Sequence, residues 1–164
     1  MAGMTHLVRR AGLFVLCAMW GVATSAAAQT PSPDEPEVVA TVQRIFDAME
    51  RCDPATIRAL SLPTGALVRV FVGTDQPPRS TTLDAFAAQF ATCTRKRLER
   101  MWAPQVRVHK GIATLWAPYD FWIDGTFSHC GIDSFELVKT ATGWVLASGT
   151  YTVERDGCAP SPLG

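Results

Sequence analysis

The segment Trp116–Cys130 constrains the fold more than any other part of the sequence, because it has the pattern of a single β-hairpin. Asp124-Gly125 separates two runs rich in apolar and aromatic residues, and this dipeptide favours a tight two-residue turn in which glycine adopts a positive φ angle. Counting outward from the turn places Asp120 directly across from His129, with Cβ atoms roughly 5 Å apart. The hairpin therefore predicts a carboxylate and an imidazole side by side among large aromatic side chains.

Alternation along the two strands divides their side chains into two faces. The first face carries the candidate pair and consists of Thr114, Trp116, Asp120, Trp122, Phe127, His129, Asp133 and Phe135. The second consists of Leu115, Ala117, Tyr119, Phe121, Cys130 and Ile132. Because both faces hold apolar residues, we predict a pocket on one side of the sheet and a dimer contact or a covering loop on the other. We assign the pocket to the first face. A β-bulge would move the side chains beyond it to the opposite face and so reverse this assignment.

The first 28 residues have the three parts of a secretory signal peptide. Arg9 and Arg10 precede an apolar run from Ala11 to Val22, and three alanines ending at Ala28 provide small residues for cleavage. A signal anchor is the less favoured alternative, because the apolar run is shorter than the ~20 residues that span a bilayer. We therefore expect residues 1–28 to be removed after Ala28 and the protein to be exported to the periplasm or the extracellular space.

The rest of the chain is predicted to form one domain between two flexible ends. Residues 29–35 and 159–164 are rich in proline and small or polar residues, which is typical of disordered termini. Residues 36–158 are enough for one compact domain. The chain has 15 basic and 15 acidic residues, and the leader removes two arginines. The nearly balanced charge predicts no nucleic-acid partner, and we expect no membrane contact after cleavage.

Four cysteines remain after cleavage, namely Cys52, Cys93, Cys130 and Cys158. An even number in an exported protein predicts two disulfides, for which three pairings are possible. We prefer Cys52–Cys93, at the ends of two predicted helices, and Cys130–Cys158, on adjacent final strands. The cysteines and histidines do not have the spacing of a zinc site, so we predict neither a metal nor a cofactor.

The predicted order of elements is helix, short helix, strand, helix and four long strands. Apolar residues recur at helical spacing in the segment Val38–Met49, and Asp53-Pro54 has the pattern of a helix start. Leu67–Val72 is a predicted strand, and Thr81 with Asp84 predicts a capping box for the third helix. The four final strands are predicted at residues 97–109, 112–123, 126–139 and 144–154. Helices followed by an antiparallel meander indicate an α+β fold.

This order of elements resembles the nuclear transport factor 2-like superfamily over about residues 36–154. The resemblance also rests on the segment 47–53, where helix 1 ends, and on the segment 135–144. It implies three N-terminal helices packed on a strongly curved mixed or antiparallel sheet that forms a conical pocket. The superfamily includes ketosteroid isomerases, scytalone dehydratase, polyketide cyclases and many members without catalysis, so the fold does not decide the function.

Two functions fit such a pocket. We favour an exported, non-catalytic domain that binds a small apolar or ring-bearing ligand or a protein partner. The alternative is a lyase, isomerase or cyclase in which Asp120 orients His129 for proton transfer. In both cases the predicted ligand contacts are Trp116, Trp122, Phe127, Asp133 and Phe135.

A homodimer is the predicted assembly, and the outer face of the sheet is its predicted interface. The count of faces places Tyr119, Phe121 and Ile132 on that outer face, where they would otherwise be exposed to solvent. Members of the superfamily commonly dimerise, often through this face of the sheet.

Overall fold

The structure is a computed structural model that describes residues 32–164. The predicted signal peptide and the first residues of the predicted leader lie outside the described residues. The helices are α1 (Glu35–Glu50), α2 (Pro54–Ala59) and α3 (Leu83–Ala88). The strands are β1 (Ala66–Phe71), β2 (Arg79–Thr82), β3 (Arg97–Met101), β4 (Gln105–His109), β5 (Ile112–Ile123), β6 (Thr126–Thr140) and β7 (Gly143–Val153). In the described part of the chain, no helix combines the length and the apolar character that a membrane span requires.

The helices begin where local capping signals place them. The Asp53 side chain accepts a hydrogen bond of 3.0 Å from the Thr56 amide, and Pro54 occupies the first turn of α2. Helix α3 is capped by Thr82, whose Oγ1 accepts a hydrogen bond of 3.1 Å from the Ala85 amide. The predicted cap at Thr81 was therefore wrong by one residue, because the hydroxyl of Thr82 makes the capping bond, while Thr81 pairs with Leu67 of β1.

The strands form one mixed sheet of seven strands in the order β2-β1-β7-β6-β5-β3, and β4 also pairs with β5. Among the strands of residues 32–164, only β1 and β7 pair in parallel. The predicted strand 97–109 is divided into β3 and β4, because Ala103 has a φ angle of 44° and Pro104 has no amide hydrogen to donate. Both strands pair with β5, one after the other, while β2 was not predicted from the sequence.

The sheet is strongly curved and its inner face packs on the helices. Two register shifts, one between β5 and β6 near Phe121 and one between β6 and β7 near Glu136, increase the local bend of the long strands. The buried face of α1 supplies Val38, Val42, Ile45, Phe46 and Met49 to the core. The predicted α+β class, with three helices on a curved mixed sheet, is confirmed.

Two disulfides close the domain at its ends. Cys52 after α1 is bonded to Cys93 after α3, and Cys130 of β6 is bonded to Cys158 near the C-terminus. These are the two pairs that the sequence analysis preferred. The last residue also contacts the sheet, since the Arg100 guanidinium donates a hydrogen bond of 3.0 Å to the Gly164 carbonyl oxygen.

Candidate functional site

A cavity of about 360 Å³ lies between α1, α3 and the inner face of the sheet. Its size is within the range of small-molecule sites. The wall is mixed, and its apolar part includes Phe46, Met49, Phe86, Phe90, Phe121 and Phe135. The polar groups in the wall are Arg69, Gln89, Arg97, Glu99, Tyr119, Ser128, His129, Asp133, Tyr151 and Arg155.

The hairpin has the predicted turn but a different register beyond it. Trp122 pairs with Phe127, as counted, whereas Phe121 pairs with His129 and Asp120 pairs with Cys130. The extra residue is Ser128, which forms a β-bulge. The prediction that Asp120 lies across from His129 was therefore wrong, because one inserted residue moves every later side chain of β6 to the other face.

Asp120 lies on the outer face of the sheet and belongs to an ion pair there. Its two carboxylate oxygens accept hydrogen bonds of 2.8 and 2.6 Å from Arg100. Burial by itself would raise the pKa of Asp120, but the hydrogen bonds and the positive charge of Arg100 prevail and lower it. Asp120 therefore stays ionised and paired, and it cannot orient an imidazole on the opposite face.

The other residues predicted from the sequence divide between the two faces. His129, Asp133 and Phe135 line the cavity. In contrast, the strand partners of Trp116, Trp122 and Phe127 place these three rings on the outer face. The prediction that Asp120, Trp116, Trp122 and Phe127 lie on the pocket face was therefore wrong. The same reversal places Tyr119 and Phe121, which were predicted at the dimer interface, in the cavity wall.

His129 is a neutral group in an aromatic part of the cavity. Its ring stacks on Phe121 with 4.9 Å between centroids and meets the edge of Tyr119 at 5.8 Å. Burial, together with the charges of Arg155 and Arg69, lowers the pKa of His129 to about 4. At neutral pH the imidazole can thus donate one hydrogen bond and accept one, and its Nδ1 lies 3.0 Å from the Ser128 hydroxyl oxygen.

Two acidic side chains, Glu99 and Asp133, form the most perturbed part of the cavity. Asp133 is 1% exposed, and neither of its carboxyl oxygens has a hydrogen-bond partner with good geometry among the described residues. Burial, followed by the charge of Glu99, raises its pKa well above the usual value. Burial likewise raises the pKa of Glu99 to about 8, although its interaction with Asp133 lowers it in part. This acid pair is therefore largely protonated at neutral pH.

Sequence reasoning missed Glu99, and only a weak signal could have revealed it. Arg97 and Glu99 are two positions apart on β3 and so share one face, which is the cavity face. From the sequence, this run was predicted only as part of a long strand at residues 97–109. That Glu99 meets Asp133 depends on β3 pairing with β5, a contact between distant parts of the chain.

A polar row crosses the inner face of the sheet next to the acid pair. Tyr151 of β7 pairs with Asp133 of β6 on one side and with Arg69 of β1 on the other. Tyr119, further along β5, donates a hydrogen bond of 2.6 Å to the Thr152 carbonyl oxygen. Burial is the main cause that raises the pKa of Tyr151. The polar row thus runs from the neutral acid pair at Asp133, through the phenol of Tyr151, to the guanidinium of Arg69.

The described residues provide no arrangement of three or more histidine, cysteine, aspartate or glutamate side chains that could hold a metal ion.

Comparisons with solved structures agree with this architecture. A nuclear transport factor 2-like protein with a cystatin-like fold from Novosphingobium aromaticivorans is 18% identical, with a TM-score of 0.58 over 77% of this chain and 84% of its own. A nuclear transport factor 2-like superfamily protein from Salmonella enterica serovar Typhimurium is 16% identical, with a TM-score of 0.59 over 77% and 94%. A candidate dehydratase of the nuclear transport factor 2-like family from Streptomyces avermitilis is 20% identical, with a TM-score of 0.60 over 77% and 99%.

Searches with family models and against curated protein sequences found no match. The protein has the nuclear transport factor 2-like fold, as the order of its elements predicted. At these identities the likeness establishes the fold alone, so the function has to be argued from the cavity.

Proposed function

We propose that this protein is an exported domain that binds a small ring-bearing molecule in its cavity without chemically changing it. The observation that carries the proposal is the Asp133 carboxyl group, buried in the wall of a cavity of about 360 Å³ and without a hydrogen-bond partner of good geometry among residues 32–164. A buried polar group without a partner costs roughly 1–3 kcal/mol. A ligand hydroxyl or carbonyl group at this position would remove that cost.

Export is supported by two independent features. The first 28 residues have the composition of a signal peptide. The two disulfides are typical of proteins from oxidising compartments. Together they support a periplasmic or extracellular domain that meets its ligand outside the cytoplasm.

The binding proposal is tested with phenylnaphthylamine, a neutral dye that fluoresces in apolar cavities. We expect saturable enhancement with the mature protein, and its loss in Ser128→Trp, because Ser128 is a partly exposed residue of the cavity wall. Thr126→Trp is the matched control, since it adds the same ring at an exposed residue outside the cavity. Enhancement that is absent, or equal in the two variants, would contradict the proposal, provided that near-UV circular dichroism shows both variants to be folded.

A second candidate is an enzyme of the lyase, isomerase or cyclase type, favoured by the acid pair rather than by the predicted Asp120/His129 pair. A carboxyl group with a pKa of about 8 can donate or accept a proton near neutral pH, as Glu99 would. Among the solved neighbours, the Streptomyces avermitilis protein is a candidate dehydratase, and a second Novosphingobium aromaticivorans protein is a candidate aromatic ring hydroxylase. For an enzyme, Glu99→Gln would abolish turnover and preserve dye binding, whereas binding without any turnover would favour the first proposal.

We also propose a homodimer formed through the outer face of the sheet. Trp116 is 50% exposed and Phe127 is 40% exposed, although both are large rings on this face. Exposed apolar surface of this kind usually marks an interface. The sequence-based expectation of a dimer relied on Tyr119, Phe121 and Ile132, of which Ile132 keeps its place on the outer face and the other two line the cavity.

A further inference from the structure

We propose that the ligand is a ring-bearing organic anion, and that Arg69 and Arg155 bind its carboxylate while its ring lies against the aromatic wall. This inference rests on the proposed binding function and specifies its ligand class. It is carried by the unsatisfied donor of Arg69 in the cavity wall and by the order of polar groups along the inner face of the sheet.

The arginines in the cavity wall have no ion-pair partner among residues 32–164, which is also true of some arginines outside the cavity, such as Arg107. Arg95 and Arg100 form ion pairs with Asp124 and Asp120, outside the cavity. The arginines in the cavity wall are Arg69, Arg97 and Arg155, and none of them has a carboxylate within 4.0 Å in the described part of the chain.

The Arg69 side chain is partly buried and keeps an unsatisfied donor. Its Nε atom is buried and has no hydrogen-bond acceptor among residues 32–164. Its guanidinium carbon lies 4.9 Å from the centre of the Phe71 ring, which supports the plane of the group without accepting its N–H bonds. A carboxylate satisfies two parallel N–H donors at once, so it is the ligand group that matches this arrangement.

The groups that could neutralise these arginines are uncharged at neutral pH. Burial raises the pKa of Glu99 to about 8 and that of Asp133 well above its usual value, so the acid pair carries little negative charge. His129, whose pKa is lowered by burial and by Arg155 and Arg69, carries no positive charge. The cavity therefore has a net positive charge, and it favours an anion.

The order of the side chains also indicates how the anion is oriented. Asp133 and Arg69 lie on strands separated by β7, with Tyr151 between them. Neighbouring strands are about 4.8 Å apart, so the two groups begin roughly 10 Å from each other. A ligand with a carboxylate at one end and a hydroxyl or carbonyl group at the other, separated by one ring or a ring with a short chain, would contact both. Arg155 is exposed, so the carboxylate end would point toward solvent.

The test compares two dyes with the same ring system. Anilinonaphthalene sulfonate carries one negative charge, whereas phenylnaphthylamine lacks the sulfonate. We expect Arg69→Met to weaken binding of the sulfonate about tenfold and to leave phenylnaphthylamine within twofold, because methionine keeps apolar contact with Phe71 but removes the charged donors. Arg155→Met should have the same selective effect but a smaller one, about threefold, since this arginine is exposed and screened.

Arg107→Met is the matched control, because it removes the same charge from an exposed position of β4 outside the cavity. It should change neither dye. If both dyes bind the wild type and no cavity arginine affects the sulfonate selectively, the inference fails while the binding proposal stands. If neither dye binds the wild type, both fail. Arg155→Met lies at an exposed site, so it gives a result even if Arg69→Met does not fold.

Discussion

The buried acid pair should make the protein less stable as the pH rises through neutrality, and Glu99→Gln should reduce this effect. Below pH 4.5 the Glu99 carboxyl is protonated in the folded and in the unfolded chain. Between the usual value of 4.5 and the folded value of about 8, the unfolded chain has lost the proton and the folded chain keeps it. The unfolded state therefore binds fewer protons, and the free energy of unfolding falls with pH across this interval.

The interval from pH 6.5 to pH 8 isolates the acid pair from His129. The lowered pKa of His129, about 4 instead of 6.5, has the opposite effect, because the unfolded chain binds the extra proton as the pH falls. As the pH rises from about 4 to 6.5, the contribution of His129 increases the free energy of unfolding, and above pH 6.5 this contribution is constant. Above pH 6.5, of His129 and the acid pair, only the carboxyl groups of the acid pair still change the free energy of unfolding, which falls as the pH rises.

The magnitude follows from the folded pKa of Glu99. One pKa unit corresponds to about 1.4 kcal/mol, so an acid with a pKa of about 8 loses at most roughly 1.6 kcal/mol between pH 6.5 and 8. Glu99 is partly exposed, and solvent screening reduces this to about 1 kcal/mol. We therefore expect the wild type to lose about 1 kcal/mol more than Glu99→Gln over this interval.

The measurement is urea unfolding at pH 6.5, 7.25 and 8 with the disulfides intact and the ionic strength constant, followed by tryptophan fluorescence, to which the buried Trp144 contributes. Glu136→Gln serves as the control, because it removes an exposed carboxylate from β6 and should keep the pH dependence of the wild type. Parallel curves for the wild type and Glu99→Gln would refute the assignment of a raised pKa to Glu99.

Three further predictions address the imidazole, the disulfide and the dimer. His129 should titrate by NMR with a midpoint near 4, and Asp120→Asn should leave it unchanged because Asp120 is on the other face; a midpoint near 6.5 would contradict its burial. Replacing both cysteines of the Cys130–Cys158 pair by serine should lower the free energy of unfolding by about 3.6 kcal/mol in denaturant titrations, as expected for a loop of this length; an unchanged transition would contradict this. Light scattering should show a dimer for the wild type and a monomer for Trp116→Glu, whereas a monomeric wild type would exclude the proposed interface.

The parts of the fold that sequence reasoning predicted are those with local causes. Asp53-Pro54 starts α2 because the cap and the proline act within one turn. Asp124-Gly125 forms the hairpin turn because both residues accept positive φ angles, 52° and 78°. Neither inference needs knowledge of distant residues, and each holds whatever lies on the other side of the sheet.

The site was harder to predict because it depends on contacts between distant residues. Glu99 reaches Asp133 only because β3 pairs with β5, and nothing near Glu99 in the sequence indicates that pairing. Ser128, the bulged residue, has no composition signal either, since the hairpin sequence is compatible with a regular ladder. Register in a strand with apolar residues on both faces is weakly specified by the hydrophobic pattern.

The bulge at Ser128 explains both the error in the predicted pair and the way the cavity is assembled. In a regular ladder Cys130 would point toward the helices, and Asp133 would point outward with Trp116. The inserted residue reverses both: Cys130 faces outward, where it bonds to Cys158, and Asp133 turns inward, where it meets Glu99. One residue thus places the disulfide on one side of β6 and the acid pair on the other. Because the disulfide requires Cys130 to stay on the outer face, it also opposes slippage of β6 to the register that would expose Asp133.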